Sequence, residues 1–254
     1  MVKIVVPLSG GKDSQACLQL ALETHHQNDV MGLFCDTQFE HPLTYAHIDQ
    51  LRDHYGVKIH RLCAGSVADK VRKYKMFPMG GARHCTEYLK IQPSKLYYKE
   101  LAEEQGEFEV WYGMRSGESR ERSARYAHIV DTTTYHPHEV IATYPKYLGA
   151  MGVRFRLPIL EWTTEDVVSY LTGRANPLYG QGFNRVGCFP CLAGGDGSKA
   201  KAFGHDETGA AHYAIVQQLE AEIGQSVWKS ETGKSRMDGK QKEIDFGGCA
   251  ICAM

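Results

Sequence analysis

The chain reads as an α/β protein. A parallel sheet sandwiched by helices occupies residues 1–175, and a loop-rich, cysteine-bearing region follows over 176–254. Three observations predict this. Short apolar runs alternate with segments of helical spacing, the pattern of parallel strands joined by crossover helices. The first run passes through a glycine turn directly into a helical pattern, in Lys3-Ile-Val-Val-Pro-Leu-Ser-Gly-Gly-Lys-Asp-Ser14. From Asn176 to Gly209 the composition shifts toward Gly, Pro and Asn.

The elements follow in order. The first strand ends at Ser9, and Gln15 to Leu22 carries the first helix. Between them Gly10 and Gly11 let the backbone approach a ligand closely, because no Cβ intervenes. The helix that starts near Asp13 aims unpaired N–H groups and its positive dipole end at the turn. Ser9, Ser14 and Lys12 add donors, so Ser9-Gly10-Gly11-Lys12-Asp13-Ser14 is predicted to cradle a nucleotide phosphate. The spacing is neither that of the Walker loop nor that of the dinucleotide Gly-x-Gly-x-x-Gly turn.

Val30 to Asp36 is a second strand, and Thr44 to Tyr55 a helix, with Tyr45, Ile48, Leu51 and Tyr55 near helical spacing. Val57 to Leu62 is a third strand. Cys85 to Gln105 is helical, broken or restarted at Pro93. Phe108 to Gly113 is a further strand ending in glycine. Thr163 opens a helix through Leu171 with an acidic residue three positions on, and Gly173 stops it. Asn176 to Gly209 is expected to be a loop region, and Lys229 to Glu243 an exposed polar segment. Ligands of such sheets bind at the carboxyl ends of strands. The glycine loop, Asp36-Thr37 and Gly113-Met114-Arg115 are therefore expected to line one cleft. Arg115, Arg120, Arg122 and Arg125 follow the strand-ending glycine, where guanidinium forks match oxyanions. The alternative for these arginines is a solvated helix face laced by Glu118 and Glu121.

Composition bounds the function. The formal net charge is −1, with 43% apolar and 23% charged residues. A nucleic-acid-coating protein shows a basic excess, so no strong sign of non-specific nucleic-acid binding exists. No apolar stretch reaches bilayer-spanning length, and the first residues lead into a strand rather than a signal peptide. A cytoplasmic protein with no membrane partner is expected, and nothing in the sequence excludes an oligomer. The eight cysteines are then reduced, which favours metal or redox roles over disulfides. Cys17, Cys35 and Cys63 sit among apolar residues and are expected to be small buried hydrophobes. Cys188-Phe-Pro-Cys191 is a two-thiolate clamp that suits zinc or an iron–sulfur cluster. Cys249-Ala-Ile-Cys252 offers a second pair, either for a four-thiolate zinc site or as a redox-active dithiol.

Several of these segments carry a family resemblance. Ser9 to Ser14 resembles the PP-loop of the ATP pyrophosphatase (adenine nucleotide alpha hydrolase) superfamily, which splits ATP between its α and β phosphates. Asp36-Thr37, with Pro42 and Thr44, resembles in part the stretch after the second strand of its PAPS (phosphoadenosine phosphosulfate) reductase-like branch. Gly113-Met-Arg-Ser-Gly-Glu-Ser-Arg-Glu-Arg122 resembles the Gly-x-Arg-x-x-Glu-Ser-x-x-Arg motif of that branch. Leu157-Pro-Ile-Leu-Glu-Trp-Thr-Thr-Glu-Asp-Val167 and Asn176-Pro-Leu-Tyr through Cys191 resemble its later elements. The resemblance spans roughly residues 3–191, about three quarters of the chain.

The resemblance implies a Rossmann-like fold and an adenine nucleotide as partner, with ATP and Mg²⁺ as the working ligand. Ser9 to Ser14, Asp36, Thr37, Gly113, Arg115 and Arg120 would bind the nucleotide, and Lys12 and Arg115 would act catalytically. Cys85 falls in a region that supplies cluster ligands in such proteins, although His84 occupies the first cysteine position. A 4Fe-4S cluster is implied on Cys85, Cys188 and Cys191, with Cys249 or Cys252 as fourth ligand; Zn²⁺ is the alternative. Sulfonucleotide reductases of the branch have a degraded loop and a Glu-Cys-Gly-x-His-type tail. This chain has the full loop, and Phe246-Gly-Gly-Cys-Ala-Ile-Cys252 does not match that tail. The leading expectation is an ATP pyrophosphatase that adenylates an acceptor, in sulfur transfer or in nucleic-acid or small-molecule modification, with a sulfur donor protein as partner. The runner-up is a thiol-dependent sulfonucleotide reductase served by a thioredoxin-like reductant. A non-catalytic nucleotide-binding subunit with a structural metal site is the third.

Overall fold

The computed structural model describes residues 1–229. β1 (Ile4–Leu8) leads into α1 (Lys12–Thr24), and β2 (Val30–Asp36) into α2 (Pro42–Tyr55). β3 (Lys58–Cys63) leads into α3 (Val67–Tyr74). A single turn, α4 (His84–Thr86), passes through a π-helical turn over Glu87–Ile91 into α5 (Gln92–Gln105). Pro93 lies in the first turn of α5, where its missing N–H costs little, so the predicted restart falls there. β4 (Phe108–Trp111) is followed by α6 (Arg120–Tyr126), α7 (Pro137–Val140) and α8 (Lys146–Ala150). β5 (Val153–Arg156) precedes α9 (Thr164–Leu171), α10 (Asp196–Phe203) and α11 (Glu207–Ile223).

The strands form one parallel sheet in the order β3-β2-β1-β4-β5. Every residue of β1 is buried, as expected for a strand covered on both faces. Its side chains divide by the two-residue period of a strand. Ile4, Val6 and Leu8 pack with Cys17, Leu18, Phe34 and Trp111 on one face. Val5 packs with Tyr98, Val110 and Phe155 on the other. Pro7 lacks a donor, yet it is tolerated in this central strand because pairing with β4 covers only Ile4 and Val5. The strand order reverses between β1 and β4, so the crevice of the sheet opens where the loop after β1 meets the chain leaving β4.

Three expectations need correction. β5 is not apparent in the sequence: it is four residues long, and only Val153 and Phe155 turn inward while Arg154 and Arg156 are half-exposed. The stretch expected to be loop from Asn176 to Gly209 contains α10 and the start of α11. Lys199, Ala202 and Phe203 of α10 are buried at helical spacing, which outweighs the glycine-rich composition around them. Cys63 is exposed at the end of edge strand β3, where Gln38 Nε2 donates to its sulfur at 2.9 Å, whereas Cys17 and Cys35 are buried as expected. Residues on both sides of position 175 share one apolar cluster, in which Phe39, Val71, Phe77 and Leu89 meet Leu192, Phe203, Val216 and Leu219. No helix among the described residues is long and apolar enough to cross a membrane.

Candidate nucleotide and thiol sites

The loop after β1 is built by close approach. Gly10 holds a positive φ of 74°, and a Cβ there would lie 2.5 Å from Thr44 Cγ2. Gly113, just after β4, leaves room for the first turn of α1: a Cβ at that position would stand 2.5 Å from the Asp13 carbonyl oxygen. Each glycine is required by its neighbour, and together they close the β1/β4 crevice around the start of α1. Ser9 and Ser14 fold the loop on itself. The Ser14 hydroxyl accepts from the Ser9 amide at 3.2 Å and donates to the Gly11 carbonyl at 2.9 Å. The Gly11 amide donates to Ser9 Oγ at 3.2 Å.

Charge at the loop is organised by Asp13. Lys12 Nζ donates to its carboxylate at 2.9 Å, and Arg115 Nε donates at 2.6 Å. Arg115 is only 4% exposed. Its remaining nitrogens reach the Trp162 carbonyl and Thr164 Oγ1, each at 3.3 Å. Arg115 therefore braces Asp13 and ties β4 to the start of α9, where Thr163 and Asp166 form the expected reciprocal cap.

A strap from Asn176 to Tyr179 lies over the loop. Asn176 Nδ2 donates to the Gly10 carbonyl at 3.2 Å and to Thr44 Oγ1 at 3.3 Å. The Tyr179 hydroxyl accepts from the Lys12 amide at 3.0 Å. Burial, reinforced by the Asp13 charge, pushes this phenol up to about 12 against the lowering effect of the Lys12 amide. The hydroxyl stays protonated and retains a proton to donate. These contacts are absent from the sequence reading, which registers the Asn-Pro-Leu-Tyr segment without assigning it a role.

A cavity of about 740 Å³ opens above the loop. Ser9, Gly11, Lys12, Asp13, Ser14 and Arg115 line its inner wall. Arg83, Arg122, Arg125 and Arg185 line the rest, with Glu118, Glu121, Val168 and Phe183. Of the residues predicted to bind nucleotide, Gly10, Asp36, Thr37, Gly113 and Arg120 are not among those lining it. Gly10 and Gly113 shape the loop from behind.

Asp36 and Thr37 belong to a second cluster at the end of β2. The Asp36 carboxylate accepts from Arg61 at 2.9 Å, Tyr45 at 2.8 Å and the Gln38 amide at 2.8 Å. Burial pushes Asp36 up, yet the Gln38 amide, Tyr45 hydroxyl and Arg61 charge outweigh it and hold the carboxyl below its usual range. Thr37 donates to Glu40 Oε1 at 2.7 Å, and its hydroxyl lies 3.3 Å from Cys188 Sγ. Cys188 forms an isolated antiparallel bridge with Glu40. Burial pushes the Cys188 thiol far up; Lys90 lowers it, whereas Glu40, Cys191 and Cys85 raise it further. Cys188 thus stands against Glu40, with Cys85 and Cys191 within electrostatic reach of its sulfur. Among the described residues, however, no group of three His, Cys, Asp or Glu side chains stands close enough to hold a metal ion as it is. Cys249 and Cys252 lie outside the described residues.

Comparison with known proteins bears on this geometry. The family profile of the phosphoadenosine phosphosulfate reductase domain matches residues 3–193. A protein of Methanocaldococcus jannaschii is 32% identical over 193 residues, which cover 75% of this chain and 36% of that protein. The chain therefore spans about a third of the length of that relative. The phosphoadenosine 5'-phosphosulfate reductase of Klebsiella pneumoniae is 27% identical over 188 residues, 71% of this chain and 67% of that enzyme. A solved phosphoadenylyl-sulfate reductase from Candida auris, in complex with phosphate, matches at a TM-score of 0.50 and 16% identity. The match covers 75% of this chain and 83% of that one, and it is a likeness of fold.

Proposed function

The chain belongs to the phosphoadenosine phosphosulfate reductase domain family, and from that premise we propose that it splits ATP between the α and β phosphates and adenylates an acceptor. The observation that carries this reading is the complete loop Ser9–Ser14, set at the start of α1 in the sheet's crevice and facing a basic cavity. A helix start and a lysine suit the pyrophosphate that such a cleavage releases. An anionic acceptor oxygen would form the new bond to the α phosphorus as the bond to the bridging oxygen of the β phosphate breaks. Lys12 would stabilise charge on the leaving pyrophosphate, with Asp13 and Arg115 holding it in position. Mg²⁺ would arrive with the nucleotide and offset the same charge.

Cys85, Cys188 and Cys191 would supply the thiolate donors of an iron–sulfur cluster, or of zinc, if brought closer together, and no step of the adenylation depends on either. The test of the main reading is pyrophosphate release from ATP. Lys12→Ala should abolish it, and release at the wild-type rate would sink the proposal.

The Klebsiella relative favours a second reading, thiol-dependent reduction of a sulfonucleotide. Sulfite release from such a substrate with a thioredoxin-like reductant, and no pyrophosphate release from ATP, would establish that reading instead.

A further inference from the structure

The fold contains a second cavity, of about 310 Å³, between α1, α2 and the linker over residues 173–177 that leads from α9 into the strap. It shares Ala175 with the larger cavity, and none of the loop residues Ser9 to Ser14 lines it. Gln15 of α1, His47, His54 and Tyr55 of α2, and Arg174 of the linker line it, and no aspartate or glutamate does.

Its hydrogen bonds fix which atoms are left to meet a ligand. Gln15 Nε2 donates to the Arg174 carbonyl at 2.9 Å. A carbonyl only accepts, so the Gln15 amide turns its oxygen toward His47, and His47 Nε2 must donate to it, at 3.0 Å. Burial pushes His47 down to about 4, so the ring is neutral at neutral pH and Nδ1 carries a lone pair. His47 is 3% exposed, and its Nδ1 has no hydrogen-bond partner among the described residues. A buried acceptor of this kind calls for a donor. Arg174 presents the opposite need. Its Nη1 donates to His54 Nε2 at 2.9 Å. Among the described residues it forms no ion pair, and its Nη2 has no partner. A guanidinium so placed matches an oxyanion. Leu51 and Pro177 add apolar wall to the same cavity, suited to a short carbon chain.

We propose that this cavity binds a small hydroxylated organic acid, with its carboxylate on the Arg174 guanidinium and its hydroxyl donating to His47 Nδ1. The site stands apart from the nucleotide loop and does not depend on which reaction the loop supports. Its linker runs directly into Asn176, which donates to the Gly10 carbonyl, so a ligand held here touches the chain next to the strap's anchor.

The experiment uses the full chain with nitrogen-15-labelled histidine. Glycolate is the probe, and acetate, which lacks the hydroxyl, is its control. Long-range proton–nitrogen spectra at neutral pH read both ring nitrogens of His47, identified by their loss in His47→Gln. Glycolate shifts His47 Nδ1 saturably. Acetate binds about fivefold more weakly, the scale of one neutral hydrogen bond. Arg174→Gln, at an exposed position, weakens glycolate by about tenfold or more, the scale of a lost charge-assisted contact. Its backbone spectrum away from the linker stays as in wild type. The comparison of the two acids on the wild type needs no variant. Glycolate that leaves Nδ1 unmoved, acetate that binds as tightly as glycolate, or an Arg174→Gln protein that binds as wild type does would each overturn the proposal.

Discussion

Asp13 is the hinge of the loop's electrostatics, and its removal should cost far more than removal of Lys12. Asp13→Ala leaves the Arg115 guanidinium, 4% exposed, facing only a carbonyl and a hydroxyl. It also leaves the Lys12 ammonium beside that uncompensated cation. Breaking a buried pair from one side costs about 3–5 kcal/mol. Lys12→Met is different in kind. Asp13 then keeps its 2.6 Å contact with Arg115, and the loss is one charge-assisted hydrogen bond at 2.9 Å, about 1–2 kcal/mol. With a urea slope of about 3 kcal/mol per molar, Asp13→Ala should lower the unfolding midpoint by about 1–1.7 M, and Lys12→Met by about 0.3–0.7 M. The double variant Asp13→Ala with Arg115→Met removes both ends of the buried pair. It should recover much of the loss, because a buried pair replaced by apolar groups is close to neutral. Equal midpoints for Asp13→Ala and Lys12→Met, or a double variant worse than the sum of its parts, would refute the reasoning.

Two further outcomes follow from named contacts. Burial pushes His47 down to about 4 from an ordinary 6.5, so between those values the unfolded chain binds a proton that the folded chain does not. Stability should therefore decline as pH falls through 6.5 and level off below 4, with about 2 kcal/mol lost by pH 5; His47→Gln should flatten that decline in paired urea titrations, and an unchanged slope would exclude His47 as its source. Tyr179→Phe removes the hydroxyl that accepts the Lys12 amide and should cost about 1 kcal/mol in the free protein. Saturating pyrophosphate should narrow that gap, since an anion oxygen takes the acceptor's place; a gap of the same size in both conditions would show that the anion does not reach this amide.

The sequence discloses the elements whose signals are local. Ser-Gly-Gly-Lys-Asp-Ser announces a strand, a turn and a helix because glycine and helix-start chemistry are confined to a few adjacent residues. The Thr163–Asp166 cap is legible for the same reason. β5 is not, because an edge strand of four residues with arginine at alternate positions shows too little apolar pattern. α10 is hidden by its setting: Asp196, Gly197 and Ser198 resemble loop composition, and only the buried Lys199, Ala202 and Phe203 reveal the helical face. Partnerships across long sequence separations are the least legible. That Arg115 is anchored on Asp13, 102 positions away, cannot be inferred from either segment alone. The arginines after β4 appear in the sequence as one group, whereas the anchoring of Arg115 on Asp13 and the meeting of Arg122 and Arg125 with Arg83 and Arg185 on one cavity are properties of the fold.

The loop and the cysteine cluster are joined by the strap. Asn176 is tied to the carbonyl of Gly10, and Tyr179 to the amide of Lys12. Further along the same segment, Phe183 and Arg185 line the cavity. Phe189 then donates its amide to the Phe39 carbonyl at 2.7 Å, which sets Cys188 against Glu40 and Thr37 at the end of β2. A run of 14 residues thus touches the loop, closes the cavity and positions the first thiol of the Cys-x-x-Cys pair. This accounts for the two signature elements lying in one stretch of sequence although they serve sites at the ends of different strands. The loop after β1 and the turn after β2 are held at fixed spacing by a single piece of backbone. A substitution that loosens its anchor at Asn176, which is 1% exposed, should therefore be felt at both sites, whereas one at Lys12 should be felt at the loop alone.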